Sequence, residues 1–230
     1  MGFLKKFFRD VFREEMGPHA TSTFESLSDE DLEAHMNIAR YGDFLLSDAV
    51  RPSYNLEVVP RSGFRHDVFH DENTKVSVPV LMVSHTTEKL FELFIDLLDP
   101  LGQNVDVVLE TSHSRHDHGH TDLYREHIDM PVLKSTLYDY EEMLLNDGCC
   151  GVAVLNPGVP LEVQFDEHKL LICYGSDLTA FEEVLIDHGL PCDDEMKFIT
   201  EAEHVHSSSD HFCEEFQELR TRLGMDGSFA

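Results

Sequence analysis

Two segments of the chain, separated by 90 residues, repeat one order of predicted elements, and this order constrains the fold more than any other feature. In the later segment, Leu161–Leu190, an alternating strand, a short polar turn and an apolar strand precede an amphipathic helix. Gly189 and Pro191 end that helix, because glycine tolerates positive φ and proline has no amide hydrogen. The segment is therefore predicted to form two adjacent strands followed by a helix.

The earlier segment carries the same elements at a constant offset. The offset is 90 residues between the strand leucines, Leu81 and Leu171, and again between the helix phenylalanines, Phe91 and Phe181. The tripeptide Leu-Glu-Val at residues 56–58 recurs 105 residues later, at 161–163, so we expect a strand at both places. Because this offset is larger than 90, we expect an insertion in the first copy.

We interpret the repeat as a tandem duplication, which predicts an α+β (mixed α/β) fold of two similar units. Each unit has the order helix, strand meander, helix, strand, helix. Residues 26–130 are expected to form the first unit and residues 131–224 the second, preceded by an amphipathic helix and linker at 1–25 and followed by a frayed tail at 225–230. Duplicated units would pack with pseudo-twofold symmetry, with their sheets joined edge to edge.

The composition restricts the partners of this protein. The 230 residues carry a formal net charge of −28, which repels phosphate backbones, excludes direct nucleic-acid binding and favours protein partners with basic surfaces. We find neither an apolar run long enough for a membrane span nor a secretory signal, and we expect a cytoplasmic protein. The five cysteines form no Cys-x-x-Cys motif, and most are expected to be small buried hydrophobes in a reducing compartment.

The first 16 residues predict an amphipathic helix that is unlike the rest of the chain. Basic side chains lie away from its apolar face. Three interpretations remain open: the helix packs on its own domain, docks onto a partner protein, or lies in a membrane interface, where the protein would be peripheral. The apolar face that would dock consists of Phe3, Leu4, Phe7, Phe8, Val11 and Phe12.

Histidines concentrate in two polar stretches, Thr111–His127 and Glu203–His211, which fall at strand-to-helix connections of the two predicted units. If His116–His120 is extended, its three histidines at i, i+2 and i+4 share one face, and three imidazoles can hold zinc or a similar divalent ion. The alternative is a solvent-exposed loop whose histidines titrate near neutrality. The candidate metal ligands are His116, His118 and His120 in the first stretch and His204, His206 and His211 in the second.

The sequence contains no Gly-rich phosphate loop, no G-x-S-x-G and no H-E-x-x-H motif, so no catalytic residue is assigned. Small acidic α+β units with an extended sheet resemble secretion chaperones at the level of fold, and this resemblance implies binding to another protein. We therefore expect a non-enzymatic protein-binding or adaptor module without a cofactor. The alternative is a metal-binding protein or metal-dependent enzyme that uses the histidine-rich loops.

Overall fold

The computed structural model of the chain describes residues 22–70, 77–113 and 121–225. These ranges contain six α-helices and eleven strands, which confirms a mixed α+β fold. The helices are α1 Asp29–Met36, α2 Thr87–Leu97, α3 Met130–Tyr138, α4 Glu141–Asn146, α5 Thr179–Asp187 and α6 Asp210–Arg222. The strands are β1 Arg40–Tyr41, β2 Phe44–Leu45, β3 Val50–Pro52, β4 Gly63–His70, β5 Ser77–Ser84, β6 Asn104–Thr111, β7 Thr121–Asp129, β8 Cys150–Leu155, β9 Leu161–Phe165, β10 Leu171–Gly175 and β11 His204–His206.

Seven strands form one antiparallel sheet in the order β4-β5-β10-β9-β8-β6-β7. Alternate residues of each strand enter one core that they share with helices α2–α6, where the rings of Phe94 and Phe165 lie 5.1 Å apart. The intervening residues face the other side of the sheet and are more polar. There, the Tyr174 hydroxyl donates to Gln164 Oε1 (3.1 Å), and Gln164 Nε2 donates to Glu110 Oε2 (3.0 Å).

The repeated strands β5 and β10 are neighbours near one end of this sheet. Met82 lies opposite Ile172, and Leu81 and Val83 lie opposite Cys173 and Leu171. The sheet does not divide between residues 26–130 and 131–224, because β5 pairs with β10 and β6 pairs with β8. The duplication and the boundaries of the two units stay predictions.

A small sheet of β3 and β11 lies beside the main sheet and is joined to it by backbone hydrogen bonds. Ser207 N donates to Ala49 O, and Gly148 N, just before β8, donates to Ser207 O, each at 2.8 Å. Arg51 is 4% exposed, and its guanidinium donates to the carbonyl oxygens of Met36, Ser47 and Val50. These bonds fix β11 against the start of β8.

Three predicted elements differ from the structure. Residues 28–48, whose apolar spacing and Ser28 cap predict a single helix, are helical only as far as Met36; the chain then forms the β1–β2 hairpin, which turns at Gly42 (φ +60°). The strand expected at 55–59 does not form, since Leu56 adopts a left-handed φ of +51°. Residues 197–199 lie 90 residues after Val107–Leu109, and this offset predicts a strand there; a 3-10 helix, Ile199–Glu201, forms instead.

The predicted amphipathic helix, with its docking residues Phe3, Leu4, Phe7, Phe8, Val11 and Phe12, lies outside the described residues. Among the helices that the structure does describe, none has the length and apolar character that a membrane crossing requires.

Candidate metal centre

Three histidines from two sheets meet at the junction between them. His168 belongs to the turn between β9 and β10, and His204 and His206 belong to β11. The ring centroid of His168 lies 4.9 Å from that of His204 and 4.6 Å from that of His206, and the last two are 5.1 Å apart. One nitrogen from each ring lies within 4.8 Å of the others. We call these three residues the tri-histidine cluster.

The local structure explains why these rings face one another. Alternate residues of a strand share a face, so His204 and His206 project together while Val205, fully buried, anchors β11 in a small core. His168 is held by a tight turn in which Asp166 Oδ1 accepts from Leu170 N at 2.8 Å.

Each ring of the cluster is oriented through its Nδ1 atom. His204 Nδ1 donates to the carbonyl oxygen of Ala202 (2.8 Å), and His206 Nδ1 donates to that of Gly148 (2.7 Å). His168 Nδ1 lies 2.8 Å from Asp166 Oδ2. Because a carbonyl or carboxylate oxygen only accepts, Nδ1 carries the hydrogen and the neutral ring carries its lone pair on Nε2. Metal-ligating histidines have this second-shell arrangement.

The electrostatic environment favours a neutral ring at His206. Burial, together with the neighbouring His168 and His204, lowers the pKa of His206 to about 3. Burial alone would raise the pKa of Asp166, but His168 and the amide of Leu170 outweigh it and hold that pKa below its usual value. An ionised carboxylate behind a neutral imidazole increases the basicity of the nitrogen that would bind a metal.

A second buried group lies on the other side of Gly148 and supports the cluster. His113 Nε2 lies 2.9 Å from Asp147 Oδ2 and 3.2 Å from the Ser208 hydroxyl. Asp147 has no exposed surface, and its Oδ1 accepts from Cys149 N at 3.1 Å. Burial raises the pKa of Cys149 to about 11, which favours the protonated thiol at neutral pH. The group instead fixes the backbone that presents the Gly148 carbonyl.

The structure brings together two of the six predicted metal ligands. His204 and His206 lie in the cluster, whereas His211 lies in the first turn of α6, where its side chain is 71% exposed and its Nε2 is 3.8 Å from Glu215 Oε2. His116, His118 and His120 lie outside the described residues.

The sequence pattern does not identify His168 as a ligand, because Asp166–Lys169 has the composition of a short polar turn. The signal that could have found it is the carboxylate of Asp166 two positions earlier, which now orients the ring. The position of that turn beside β11 depends on the tertiary structure, so no local sequence pattern indicates it.

Comparison of the chain with models of protein families, with curated proteins and with solved structures gave no match.

Proposed function

We propose that this protein binds a divalent transition-metal ion of the zinc class through Nε2 of His168, His204 and His206. The observation that carries the proposal is the oxygen atom beside each Nδ1, which sets the same tautomer in all three rings. Imidazole nitrogens suit zinc, copper, nickel and iron, whereas magnesium and calcium prefer oxygen ligands.

Three protein ligands leave a tetrahedral zinc ion one position for water or for an exogenous ligand. Structural zinc sites are usually closed by four protein ligands, whereas sites that activate water or bind a small molecule keep one position open. The three histidines thus favour a site with a chemical role over a purely structural one. Asp166 acts as a positioning residue, since it contacts His168 and not the ion.

Metal analysis of the full chain, purified without a histidine tag and dialysed against zinc, tests the proposal. His206→Ala and His168→Ala should each lose one equivalent of zinc relative to the wild type. His211→Ala is the matched control, because it removes an exposed histidine that lies outside the cluster, and it should keep the wild-type content. Equal zinc contents in wild type and His206→Ala would overturn the proposal.

A second function, binding of a protein partner, is supported by the exposed edge of the main sheet. In the described part of the chain, β7 pairs only with β6, and Tyr124 on β7 is 65% exposed. An extended segment of a partner could add to this edge by main-chain hydrogen bonds. A photo-crosslinking residue at position 124 should give a discrete adduct in cells, whereas one at Ile186, 62% exposed on α5, should not. The same adducts from both positions would contradict this function.

We also propose that the chain arose by duplication of one unit. The pairing of Met82 with Ile172 supports this origin. These two residues are 90 residues apart and are therefore equivalent positions of the two copies. A twofold axis that relates β5 to β10 would place such an equivalent pair opposite each other. The helices that follow these strands, α2 and α5, also contact each other. Superposition of residues 77–97 on residues 167–187 tests the idea: a rotation other than a half-turn would contradict it.

A further inference from the structure

A second group of metal-binding atoms lies at the protein surface, on residues that the tri-histidine cluster does not use. His66 on β4 points toward Cys192 and Asp194 in the loop that follows α5. Cys192 is exposed, whereas Cys150 and Cys173 are buried. We propose that His66 Nδ1, Cys192 Sγ and Asp194 Oδ1, which we call the surface cluster, bind a second zinc-class ion.

The distances between the three atoms are those of a tetrahedral site. Nδ1 of His66 lies 3.3 Å from Asp194 Oδ1 and 3.6 Å from Cys192 Sγ, and Sγ lies 3.9 Å from Oδ1. Zinc bonds of about 2.0–2.3 Å to nitrogen, oxygen and sulfur place tetrahedral ligand atoms roughly 3.3–3.6 Å apart. Closing the site requires a movement of only a few tenths of an ångström at the thiol.

The other nitrogen of His66 is already oriented as a metal ligand requires. Nε2 lies 3.0 Å from Glu182 Oε1 on α5, so this carboxylate can accept the remaining ring hydrogen when Nδ1 binds a metal. A carboxylate behind a histidine ligand fixes the ring and increases its basicity. Glu182 is therefore a positioning residue of the surface cluster, as Asp166 is of the tri-histidine cluster.

The loop that carries Cys192 and Asp194 is fixed to the edge of the main sheet. Phe64 N donates to Pro191 O (3.0 Å), and Asp193 N donates to Phe64 O (2.9 Å). The Arg61 guanidinium also contacts Asp193 Oδ2 at 2.5 Å. These contacts hold the loop beside His66, so binding an ion requires little ordering of the chain.

The field at the surface cluster favours a positive charge. The carboxylates of Glu182 and Asp194 raise the pKa of His66, against a smaller effect of burial. A divalent ion at this place supplies the positive charge that the carboxylates favour, instead of the proton on the His66 ring. Its binding releases the Nδ1 proton and the thiol proton to the solvent, so the ion faces a neutral imidazole, a thiolate and a carboxylate. Three protein ligands again leave a fourth position for water.

Cobalt(II) titration of the full chain tests the surface cluster, because cobalt substitutes for zinc and only a thiolate ligand gives an intense sulfur-to-metal band in the near ultraviolet. The wild type should show this band. Cys192→Ser should abolish it, whereas Cys213→Ser, which changes a cysteine on α6, should retain it. Absence of the band in the wild type, or its persistence in Cys192→Ser, would overturn the proposal.

The two metal proposals can fail separately. His206→Ala removes a ligand of the tri-histidine cluster and should leave the sulfur-to-metal band unchanged, while Cys192→Ser should leave the zinc equivalent that depends on His206. A thiolate band that disappears in His206→Ala would show that the sulfur ligand belongs to another site and would refute the surface cluster. Glu182→Gln should weaken cobalt binding at the surface cluster about 10–100-fold while the band keeps its position.

Discussion

His206 of the tri-histidine cluster and His66 of the surface cluster have pKa values shifted in opposite directions, although oxygen atoms lie beside both rings. At His206 burial dominates, and the carbonyl behind Nδ1 does not compensate for it, so its pKa falls to about 3. At His66 two carboxylates lie within 3.3 Å of the ring nitrogens and raise the pKa. Burial therefore keeps the ring neutral at His206, whereas the neighbouring carboxylates favour a protonated ring at His66.

The two clusters also differ in what supports them. The tri-histidine cluster connects the turn of the main sheet with the small sheet and depends on the buried backbone at Gly148. The surface cluster lies at one edge strand and depends on a loop. Changes in the buried support should affect both stability and metal binding, whereas changes in the surface cluster should affect metal binding alone.

The largest effect is expected from Asp147→Ala. This change removes a fully buried carboxylate and leaves His113 without its charged neighbour, and breaking a buried pair costs about 3–5 kcal/mol. Chemical denaturation should show a loss of that order, and zinc binding by the tri-histidine cluster should weaken because Gly148 shifts. Asp139→Ala removes an exposed pair with Arg222 and should change little. Similar losses of stability in both variants would show that the buried Asp147–His113 pair contributes no more than an exposed ion pair.

A crossed pair of substitutions separates the two clusters at the level of affinity. Asp166→Asn should weaken metal binding by the tri-histidine cluster about 10–100-fold, or about 1.4–2.7 kcal/mol, and leave the sulfur-to-cobalt band unaffected. Glu182→Gln should have the reverse effects. Isothermal titration of each variant, with the band recorded alongside, measures both affinities. An equal loss at both sites from either change would mean that the sites are coupled.

His85 tests whether burial, the largest cause of its lowered pKa, keeps a histidine neutral; the charges of Lys89 and His188 act in the same direction. His85 is 6% exposed, its Nδ1 lies 3.0 Å from the Ser62 hydroxyl, and burial lowers its pKa to about 4. The unfolded chain, with a pKa of 6.5 at this residue, binds more protons between these two values. Stability should therefore be complete above pH 6.5 and fall as the pH is lowered toward about 4, by up to about 1.4 kcal/mol per unit. Urea unfolding of His85→Gln should show a shallower dependence than the wild type; identical slopes would contradict the assignment.

The smallest effect is expected from Cys192→Ser, since the side chain is exposed and serine is of similar size. The free energy of unfolding of the metal-free protein should stay within about 0.5 kcal/mol of the wild-type value. Thermal unfolding in chelator checks this, and a larger loss would show that the loop stabilises the fold.

Local patterns in the sequence were sufficient to predict features that depend on a single strand or helix. The alternation in Leu161–Phe165 and the apolar run that ends at Gly175 predicted β9 and β10, and the helical periodicity after them predicted α5. His204 and His206, two positions apart on β11, share a face for the same kind of reason. These features depend on the direction of side chains along one strand or helix, which is periodic.

Features that depend on distant segments could not be predicted. His168 joins the tri-histidine cluster because the β9–β10 turn meets β11, and Cys192 is exposed because its loop follows the outer edge of β4. Apolar periodicity reports which face is buried but not which segments become neighbours. The left-handed conformation of Leu56 likewise has no residue signature, since glycine or asparagine is usual in that region.

The strand order has a consequence for synthesis of the chain on the ribosome. β5 is complete at Ser84, but its partner β10 begins only at Leu171. Likewise, β6 is synthesised before its partner β8. At about 5–20 residues per second, the inner edge of β5 stays unpaired for roughly 4–20 s after it emerges. A nascent chain of this protein therefore presents an apolar strand edge to its neighbours on the polysome, and folding factors that cover such edges should determine its yield.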